Sequence, residues 1–360
     1  MCIFVAQKSD EKTPVLACSL NSKNYQGDFE KEINASSFEF PADNFGASEW
    51  SIRNKLHDSV LLKMQVGTPL KDMPISIYAG IKAGCIDAFY IDEQTKEKLI
   101  EEDAKSAEII KPLFRGRDVG AWNAPKSGLY FIGTLPALKL NIDDYPAIKN
   151  HLLQFGIERL EQTGAEYIIN GEKIKSRKKT CNRWFETQDQ AGYYKELLKP
   201  KIVFPNITTV FPFTYDEEGT YPNDNNFFIV ENSHSEQCNG FLLKSLLAIL
   251  NSNLAKLWIW YNCPVLNGGT RKLQITYFEN FRIPLENTEL LQQLATLADE
   301  IIAAKSSLSQ PKGTKNVIAS DSEVAGSQNR IADLEKQVNT LVYQLYGVTD
   351  AEEIEAVEKR

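Results

Sequence analysis

Four segments of the chain carry apolar residues at the spacing of an α-helix. They are 145–163, 240–262, a segment that begins near Asn287, and 331–345. Recurrence every three or four residues places these side chains on one face, so each segment is predicted to be an amphipathic helix. Pro146 in the first turn supports the first helix, and Pro264 ends the second.

Shorter apolar runs before residue 145 and after residue 200 predict β-strands. Residues 66–92 come close to strict alternation, and the runs KPKIVFPNI (199–207) and NNFFIVE (225–231) are rich in branched and aromatic side chains. Gly80 and Gly84 interrupt the alternation, which indicates turns, bulges or close approach of another backbone. The whole pattern predicts an α/β fold of the α+β type, with mixed strands and helices.

The predicted elements divide the chain into three regions. Residues 1–60 are mostly polar and precede the main domain, which spans 61–285 and holds most of the predicted strands. Residues 286–360 hold the last two helices, separated near 306–328 by a polar stretch with Ser, Gly and Pro for which we expect a flexible linker. Two helices with narrow apolar stripes pack most simply on each other, and a partner protein is the alternative cover.

Composition offers little for metal or disulfide chemistry. The 360 residues include six cysteines and three histidines, and no two cysteines form a C-x-x-C pair. These features argue against a zinc site and a disulfide framework and fit a reducing cytoplasm. No run reaches the roughly 18 apolar residues of a membrane span, and the first residues lack a secretory cleavage pattern. We therefore expect a cytoplasmic protein with no membrane partner.

Charge is distributed unevenly along the chain. The formal net charge is −8, yet residues 111–201 contain 16 Lys and Arg against 10 Asp and Glu, a local net charge of +6. Residues 321–360 contain 9 acidic and 4 basic side chains, a local net charge of −5. A basic middle region is typical of proteins that bind a polyanion, and ordinary surface charge is the alternative explanation.

Motifs for catalysis on DNA are absent from the sequence. Amino-group methylation of adenine uses an Asn/Asp-Pro-Pro-aromatic motif that holds and stacks on the flipped base, and this chain contains no Pro-Pro dipeptide. FPNI (204–207) and NCPV (262–265) resemble the motif only faintly. Asp/Glu-x-Lys matches for a Mg²⁺-dependent nuclease fall outside plausible strand pairs, and GGTRK (268–272) lacks the spacing of a P-loop. The sequence therefore predicts no catalytic, cofactor-binding or metal-binding residue.

The most basic segment is the strongest candidate for contact with nucleic acid. Six positive side chains fall within eleven residues with no acid among them, and they are Lys173, Lys175, Arg177, Lys178, Lys179 and Arg183. Trp184 follows directly, and its ring can pack on a sugar or a base. Lysine and arginine neutralise phosphates and release counterions, so we predict that this segment supplies affinity for DNA. A solvated loop is the alternative.

Two glycine-containing turns and one asparagine complete the predicted contacts. In the run 115–118, Arg-Gly-Arg-Asp, an arginine can donate two hydrogen bonds to guanine or clamp a phosphate, and an internal Arg117–Asp118 ion pair is the alternative. In the loop 267–272 glycine amides can hold an anion, or the loop simply joins helix to strand. The predicted DNA contacts outside the basic segment are Arg115, Arg117, Asn206, Gly268, Gly269, Arg271 and Lys272.

Taken in order, these motifs resemble one known domain. The set is GIKAGCIDAFYID (80–92), IIKPLFRGRDV (109–119), KPKIVFPNI (199–207), NGGTRKLQITYFENFRIP (267–284) and IADLEKQVNTLVYQLYGVTDAEEIEAVE (331–358). Over roughly residues 65–355 the sequence resembles the TaqI-like C-terminal specificity domain. That domain closes adenine-N6 DNA methyltransferases and type IIG restriction enzymes, which fuse nuclease, methyltransferase and recognition domain.

The resemblance implies a target recognition domain that docks in the major groove of double-stranded DNA, opposite a methyltransferase domain. It places Arg115–Arg117 and Gly268–Arg271 at motif positions, while base-contacting residues vary with the target. Methyltransferase and nuclease regions are not recognised in this chain, although IFVAQKS (3–9) resembles the closing strand of a methyltransferase. S-adenosylmethionine and Mg²⁺ are therefore expected only on catalytic domains in cis or in trans.

The function expected from the sequence is that of a DNA-binding specificity module of a restriction–modification system, which directs adenine-N6 methylation, cleavage or both. The first alternative is a truncated or divergent type IIG restriction enzyme or adenine methyltransferase with its own activity. The second is a protein-interaction subunit that uses the C-terminal helices. Binding of S-adenosylmethionine or Mg²⁺-dependent cleavage would favour the first, and partner binding that is lost with residues 287–360 would favour the second.

Overall fold

The computed structural model describes residues 15–18, 27–40, 53–124, 127–232, 240–266, 269–309 and 321–359. The helices within these ranges are α1 (Phe29–Ser36), α2 (Lys55–Lys63), α3 (Ile86–Phe89), α4 (Glu93–Glu102), α5 (Pro146–Leu153), α6 (Ile157–Leu160), α7 (Phe241–Asn251), α8 (Asn253–Asn262), α9 (Ile275–Phe278), α10 (Thr288–Ser309), α11 (Asp321–Leu345) and α12 (Ala351–Glu358). The strands are β1 (Val15–Cys18), β2 (Ser37–Phe40), β3 (Thr68–Pro69), β4 (Ile75–Ala79), β5 (Tyr90–Asp92), β6 (Ile110–Phe114), β7 (Leu129–Ile132), β8 (Glu166–Ile169), β9 (Glu172–Lys175), β10 (Lys201–Pro205), β11 (Ile207–Thr208), β12 (Thr214–Asp216), β13 (Tyr221–Pro222), β14 (Asn226–Glu231), β15 (Arg271–Lys272) and β16 (Arg282–Ile283).

The chain divides into two compact units, and the smaller unit combines the N-terminal and C-terminal parts of the chain. It contains the described residues up to Val66 and those from Tyr346 onward, while the larger unit runs from Gly67 to Leu345. In the smaller unit β1 pairs with β2, and α12 packs on α2. Glu353 of α12 accepts hydrogen bonds from Ser59 and Lys63 of α2 at 2.6 and 2.5 Å. The segment 3–9, which resembles a methyltransferase strand, lies outside the described residues.

Two four-stranded sheets form the centre of the larger unit. One has the order β12-β10-β14-β4 and is antiparallel throughout. The other has the order β13-β6-β7-β5 and is antiparallel except where β13 joins β6. All five residues of β10 are buried, and the Phe204 ring lies 5.2 Å from that of Phe213 and 5.0 Å from that of Phe278. The predicted strands at 199–207 and 225–231 are thus confirmed, and the fold is of the predicted mixed α/β class.

The leucine-rich segment 240–262 forms two helices where the periodicity predicted one. α7 and α8 meet at an angle of 71°. Between them Ser252 adopts extended backbone, and its hydroxyl accepts a hydrogen bond from the Ala255 amide at 3.2 Å, which caps α8. Among the described residues no single helix is long and apolar enough to cross a membrane, while α7 and α8 taken together meet the same criteria of length and composition.

Two other helical predictions also need correction. The segment 145–163 is interrupted after α5 by Gly156, whose φ of 82° is a left-handed conformation that ends the helix. Residues 93–102 form α4, although we expected mainly strands and turns before residue 145. Leu99 is the only buried residue of α4, so no apolar stripe marked this helix in the sequence.

The C-terminal helices pack on each other as predicted, and α10 also packs on α7. They are tied to the loop that follows β6 by polar contacts. The Trp122 indole donates to Glu335 at 2.8 Å, and the Lys305 ammonium donates to the Ala121 carbonyl at 3.1 Å. α10 and α11 occupy both ends of the predicted linker 306–328, and residues 310–320 lie outside the described residues.

A buried ion pair joins the edge strand β12 to β10. The Lys201 ammonium lies 2.6 Å from an Asp216 carboxylate oxygen, and the two side chains are 0% and 4% exposed. Lys201 also donates to the Leu197 carbonyl, and Asp216 accepts from the amide and hydroxyl of Thr220. Burial lowers the pKa of Lys201, and the Asp216 carboxylate opposes that shift. Each of the two buried charges therefore has its ionic partner only while the other residue is present.

We expect Lys201→Met to lower the free energy of unfolding by roughly 3–5 kcal/mol, because it leaves the Asp216 carboxylate buried and unpaired. Urea denaturation of the variant and the wild type measures the difference. The double variant Lys201→Met, Asp216→Leu should be more stable than Lys201→Met alone, since it removes the orphaned charge. A single variant as stable as the wild type would contradict this reading of the pair.

Candidate nucleic-acid interface

The predicted basic segment 173–183 begins on one strand of a hairpin. β8 and β9 pair antiparallel, with Ile168 directly opposite Lys173. Asn170 and Gly171 connect them with φ values of 51° and 84°, the geometry of a type I′ turn. We call residues 166–175 the ribbon. The segment therefore continues from a twisted two-stranded ribbon into the loop that follows β9.

Arg177 faces inward, unlike the lysines at 175, 178 and 179. It is 5% exposed, and burial lowers the pKa of its guanidinium to about 10, so it stays charged at neutral pH. Its donors reach four carbonyl oxygens, those of Leu160 (2.7 Å), Ala83 (3.0 Å), Glu186 (2.7 Å) and Trp184 (2.6 Å). The guanidinium has no free face for a phosphate, which changes the role of Arg177 from DNA contact to structural anchor.

Arg183 and Trp184 are only partly available to a ligand. The Arg183 guanidinium donates to Glu186 at 2.7 and 2.9 Å and lies 4.6 Å above the Phe185 ring, while its side chain remains 50% exposed. The Trp184 ring packs edge-on against Phe185 and is half-buried beside the core. Glu186, three residues away, thus neutralises Arg183, which is one of the six clustered positive charges.

Four lysines of the segment are exposed. Lys173 forms a 2.8 Å ion pair with Glu166 across the ribbon, and its side chain is 68% exposed. Lys175, Lys178 and Lys179 are exposed, and none forms an ion pair with another residue in the described part of the chain. Exposed, unpaired ammonium groups can exchange their counterions for phosphates.

The turn at 115–118 contains the ion pair expected as an alternative, but with a different arginine. Arg115 binds Asp118 through two guanidinium hydrogen bonds of 2.7 and 2.8 Å and through its backbone amide. Burial would raise the pKa of Asp118, yet the hydrogen bonds from Arg115 outweigh it and the pKa is lowered. Arg117 is exposed and makes no hydrogen bond or ion pair within the described ranges. Arg115 therefore fixes the turn and leaves Arg117 accessible.

The glycine-containing loop 267–272, which was predicted to hold an anion, is built around a second buried arginine. Arg271 is 6% exposed, donates to the Trp260 carbonyl at 2.8 Å and lies 3.7 Å above the Trp260 ring. Burial lowers the pKa of its guanidinium. Lys272 is half-exposed, and Gly269 is exposed with a φ of 78°. Arg271 thus holds the loop, and Gly268 lies outside the described residues.

Asn206 links the turn 115–118 to the segment that follows the loop 267–272. Its amide donates to the Asn225 carbonyl at 2.8 Å, and its carbonyl accepts from the Leu273 amide at 2.7 Å. A Cβ on Gly116 would lie 3.4 Å from Cβ of Asn225, so the arginine turn meets the same residue. The Oδ1 atom of Asn206 is buried and has no hydrogen-bond partner among the described residues. Asn206, Asn225 and Gly116 thus form one continuous patch.

The segment 80–85 lies between this patch and the ribbon. A Cβ on Gly80 would fall 2.0 Å from the Asn223 carbonyl oxygen, so the close backbone approach predicted there is confirmed. At the other end the Ala83 carbonyl accepts one hydrogen bond of the Arg177 guanidinium. Direct contacts therefore join this segment to Arg177, two residues after the ribbon, and to Asn223, two residues before Asn225 of the patch.

Lys82 and the turn 223–226 belong to this surface but were not among the sequence-based candidates. The Lys82 side chain is 50% exposed and lies 3.7 Å from Asp224. The two glycines around Lys82 and the polar run PNDNN (222–226) were the available signals. We use the term cationic surface for the accessible positive side chains, which are Lys82, Arg117, Lys175, Lys178, Lys179 and Lys272.

The cationic surface offers accessible ammonium and guanidinium groups, which suit the binding of an anion. Within the ranges that the structure describes, no three His, Cys, Asp or Glu side chains are grouped so that they could hold a metal ion. A cavity of about 500 Å³ lies between α10 and α11, where Leu297 and Leu341 line it. The chemistry that the surface supports is therefore the binding of an anion.

Known proteins share both sequence and fold with this chain. The sequence model of the TaqI-like C-terminal specificity domain matches residues 147–285, a range that contains the ribbon, β10, Asn206 and β15. The Type II methyltransferase M.BstVI of Geobacillus stearothermophilus is 24% identical over 261 residues, which cover 71% of this chain and 42% of that protein. The Type II methyltransferase M.XhoI of Xanthomonas vasicola is 28% identical over 184 residues, or 50% of this chain and 27% of that protein. The chain thus spans less than half the length of either relative.

The fold is also found in a solved structure of the Type IIL restriction–modification enzyme MmeI in complex with DNA. The two structures superpose with a TM-score of 0.52 at 11% sequence identity, over 91% of this chain and 39% of that one. This likeness shows a shared fold. The match at 147–285 separately shows that this part of the chain is similar to the TaqI-like C-terminal specificity domain.

Proposed function

We propose that this chain recognises a specific sequence of double-stranded DNA and directs a methyltransferase, with or without a nuclease, to that site. The observation that carries the proposal is the cationic surface, a set of accessible cations on a chain whose net charge is −8. Elsewhere, arginines such as Arg115 and Arg183 have acidic partners. Apart from Lys82, which lies 3.7 Å from Asp224, the cations of this surface have no acidic partner among the described residues, and such cations suit a polyanionic ligand.

The residues of the surface divide into those that supply affinity and those that can read bases. Lys175, Lys178 and Lys179 are flexible point charges suited to phosphates. Arg117 can donate two hydrogen bonds to guanine, and an asparagine such as Asn206 can pair with adenine in the same way. The backbone of Asn206 is fixed by two hydrogen bonds, and because its side-chain Oδ1 atom is buried, the side-chain amide would have to rotate outward to pair with adenine.

The reaction served by this recognition is proposed from the relatives and the resemblance. The Type II methyltransferases M.BstVI and M.XhoI support methylation as that reaction. Adenine N6 as the acceptor, and a type IIG arrangement with cleavage, follow from the family resemblance alone. S-adenosylmethionine and Mg²⁺ would then bind a catalytic portion in cis or in trans, in the cytoplasm, and this chain would supply the recognition.

Removing the three unpaired lysines should weaken DNA binding and reduce its salt dependence. We expect Lys175→Ala, Lys178→Ala, Lys179→Ala to lower the slope of log K against log salt by about 0.9 for each lysine that contacts a phosphate. Fluorescence anisotropy with a duplex of about 30 base pairs, between roughly 50 and 200 mM salt, measures that slope. The matched control is Lys98→Ala, Lys336→Ala, Lys359→Ala, which removes the same charge at exposed helical positions. Equal slopes for both triple variants would rule out this surface.

Replacing Arg177, the structural anchor, should lower the stability of the fold and leave the salt dependence of DNA binding unchanged. We expect Arg177→Lys to lower the free energy of unfolding by roughly 2–4 kcal/mol, because an ammonium cannot reach all four carbonyl oxygens and leaves some unsatisfied. Urea denaturation measures this loss, and anisotropy under conditions where the variant is folded should show the wild-type salt slope. Unchanged stability with a slope smaller by about 0.9 would instead make Arg177 a phosphate contact.

A further inference from the structure

The ribbon presents one apolar side chain among its charged residues. Ile168 is 81% exposed, more than any other large apolar side chain among the described residues. Alternation along a strand places Ile168 on the same face as Lys173, which lies directly opposite, and as Lys175 and Glu166. Tyr167, on the other face, is half-buried. The outward face therefore carries Ile168 opposite Lys173 and next to Lys175 and Glu166, and no described residue covers the isoleucine.

The ribbon is firmly held at its base and free at its tip. β8 and β9 form a sheet of two strands, and no other described strand pairs with them. At the base the Ser176 amide donates to the Ala165 carbonyl at 2.9 Å, and the Gly164 amide donates to the Arg177 carbonyl at 2.9 Å. An isolated hairpin is only marginally stable in water, so the ribbon needs support from the rest of the fold. The buried Arg177 guanidinium lies beside its base, and the hydrogen bonds of that guanidinium fix the direction of the ribbon. A fixed base and an exposed tip suit insertion into a groove.

The dimensions and chemistry of the ribbon match one groove of DNA. The major groove is about 12 Å wide and admits a two-stranded ribbon, whereas the minor groove is only about 6 Å wide. Lysines on the outward face can reach phosphates beside the groove, which leaves the apolar side chain at the base edges. The apolar feature of those edges is the C5-methyl group of thymine.

We propose that the ribbon enters the major groove of the target duplex and that Ile168 contacts the C5-methyl group of one thymine. Ile168 is then a specificity-determining residue, while Lys175 on the same face, which has no acidic partner among the described residues, holds the ribbon to the phosphate backbone of the DNA. This inference rests on the proposed function, because it assumes that the chain binds a specific duplex sequence. It names the kind of contact that reads one base pair.

Uracil substitution tests the contact, because deoxyuridine differs from thymidine only by that methyl group. The full chain first selects its target from duplexes with a randomised centre. Each thymine of the selected target is then replaced in turn by deoxyuridine, and anisotropy measures binding by the wild type and by Ile168→Ala. We expect one replacement to weaken wild-type binding about 4-fold to 15-fold, the effect of one to two buried methyl groups, and to leave Ile168→Ala unaffected.

The two losses should not add, because they remove the two sides of one contact. Ile168→Ala should bind the thymine duplex about as weakly as the wild type binds the deoxyuridine duplex, and Ile168→Val should fall between them. Leu198→Ala is the matched control, since Leu198 is 51% exposed on a turn elsewhere in the same unit. Its uracil sensitivity should equal that of the wild type. The thermal unfolding of Ile168→Ala should also be unchanged, since its side chain is exposed.

Two results distinguish failure of this inference from failure of the proposed function. A wild-type chain that selects no sequence overturns both. A wild-type chain that selects a sequence, while Ile168→Ala keeps the same sensitivity to every deoxyuridine or no position is sensitive at all, overturns only the Ile168 contact.

Discussion

The Arg177 guanidinium donates hydrogen bonds to carbonyl oxygens of four residues, and the placement of the cationic surface depends on it. One acceptor, Leu160, ends α6, another belongs to the segment 80–85, and two belong to the loop after the ribbon. Charge-assisted hydrogen bonds are stronger in a buried setting, and each acceptor would be costly to leave unsatisfied. A single side chain thereby sets the direction of the ribbon and the conformation of the loop that carries Lys178 and Lys179.

The acidic net charge of the chain and its proposed polyanionic ligand are compatible because the cations have different surroundings. Arg115 and Lys201 are compensated by a neighbouring carboxylate and stabilise the fold. Lys175, Lys178 and Lys179, which flank Arg177, have no such partner in the described part of the chain. An overall negative charge disfavours indiscriminate association with DNA, so the proposed binding would rely on a surface where local charge and shape both fit. This division agrees with the proposed recognition of one DNA sequence.

Much of the fold could be predicted from local patterns, whereas the roles of the arginines could not. The buried strands β10 and β14 were evident from their composition. The break at Ser252 was not, because leucines recur on both sides of it and only the caps of α8 mark the boundary. Arg177 follows Lys175 by two residues and reads as another exposed cation. Its burial is decided by carbonyl groups from residues 83 and 160, which no local pattern brings near it.

The candidate site, too, could be predicted only in part from the sequence. The basic segment and the Arg117 turn were predicted, but Asn206 meets Gly116 only through Asn225, a contact that depends on the pairing of β10 with β14. Lys82 was passed over because a single lysine between two glycines carries little signal. Close approach of two backbones at Gly80 is what brings it to the surface beside Asp224.

Hydrogen–deuterium exchange of the full chain, free and bound to its selected duplex, tests the central claim most directly, because it reports which backbone segments the ligand covers. If the cationic surface binds the duplex, exchange should slow in the ribbon and the following loop (166–183), in the turn 115–118 and around Asn206, with α10 and α11 unchanged. Protection confined to α10 and α11, or no protection in 166–183 when the duplex is bound, would contradict it.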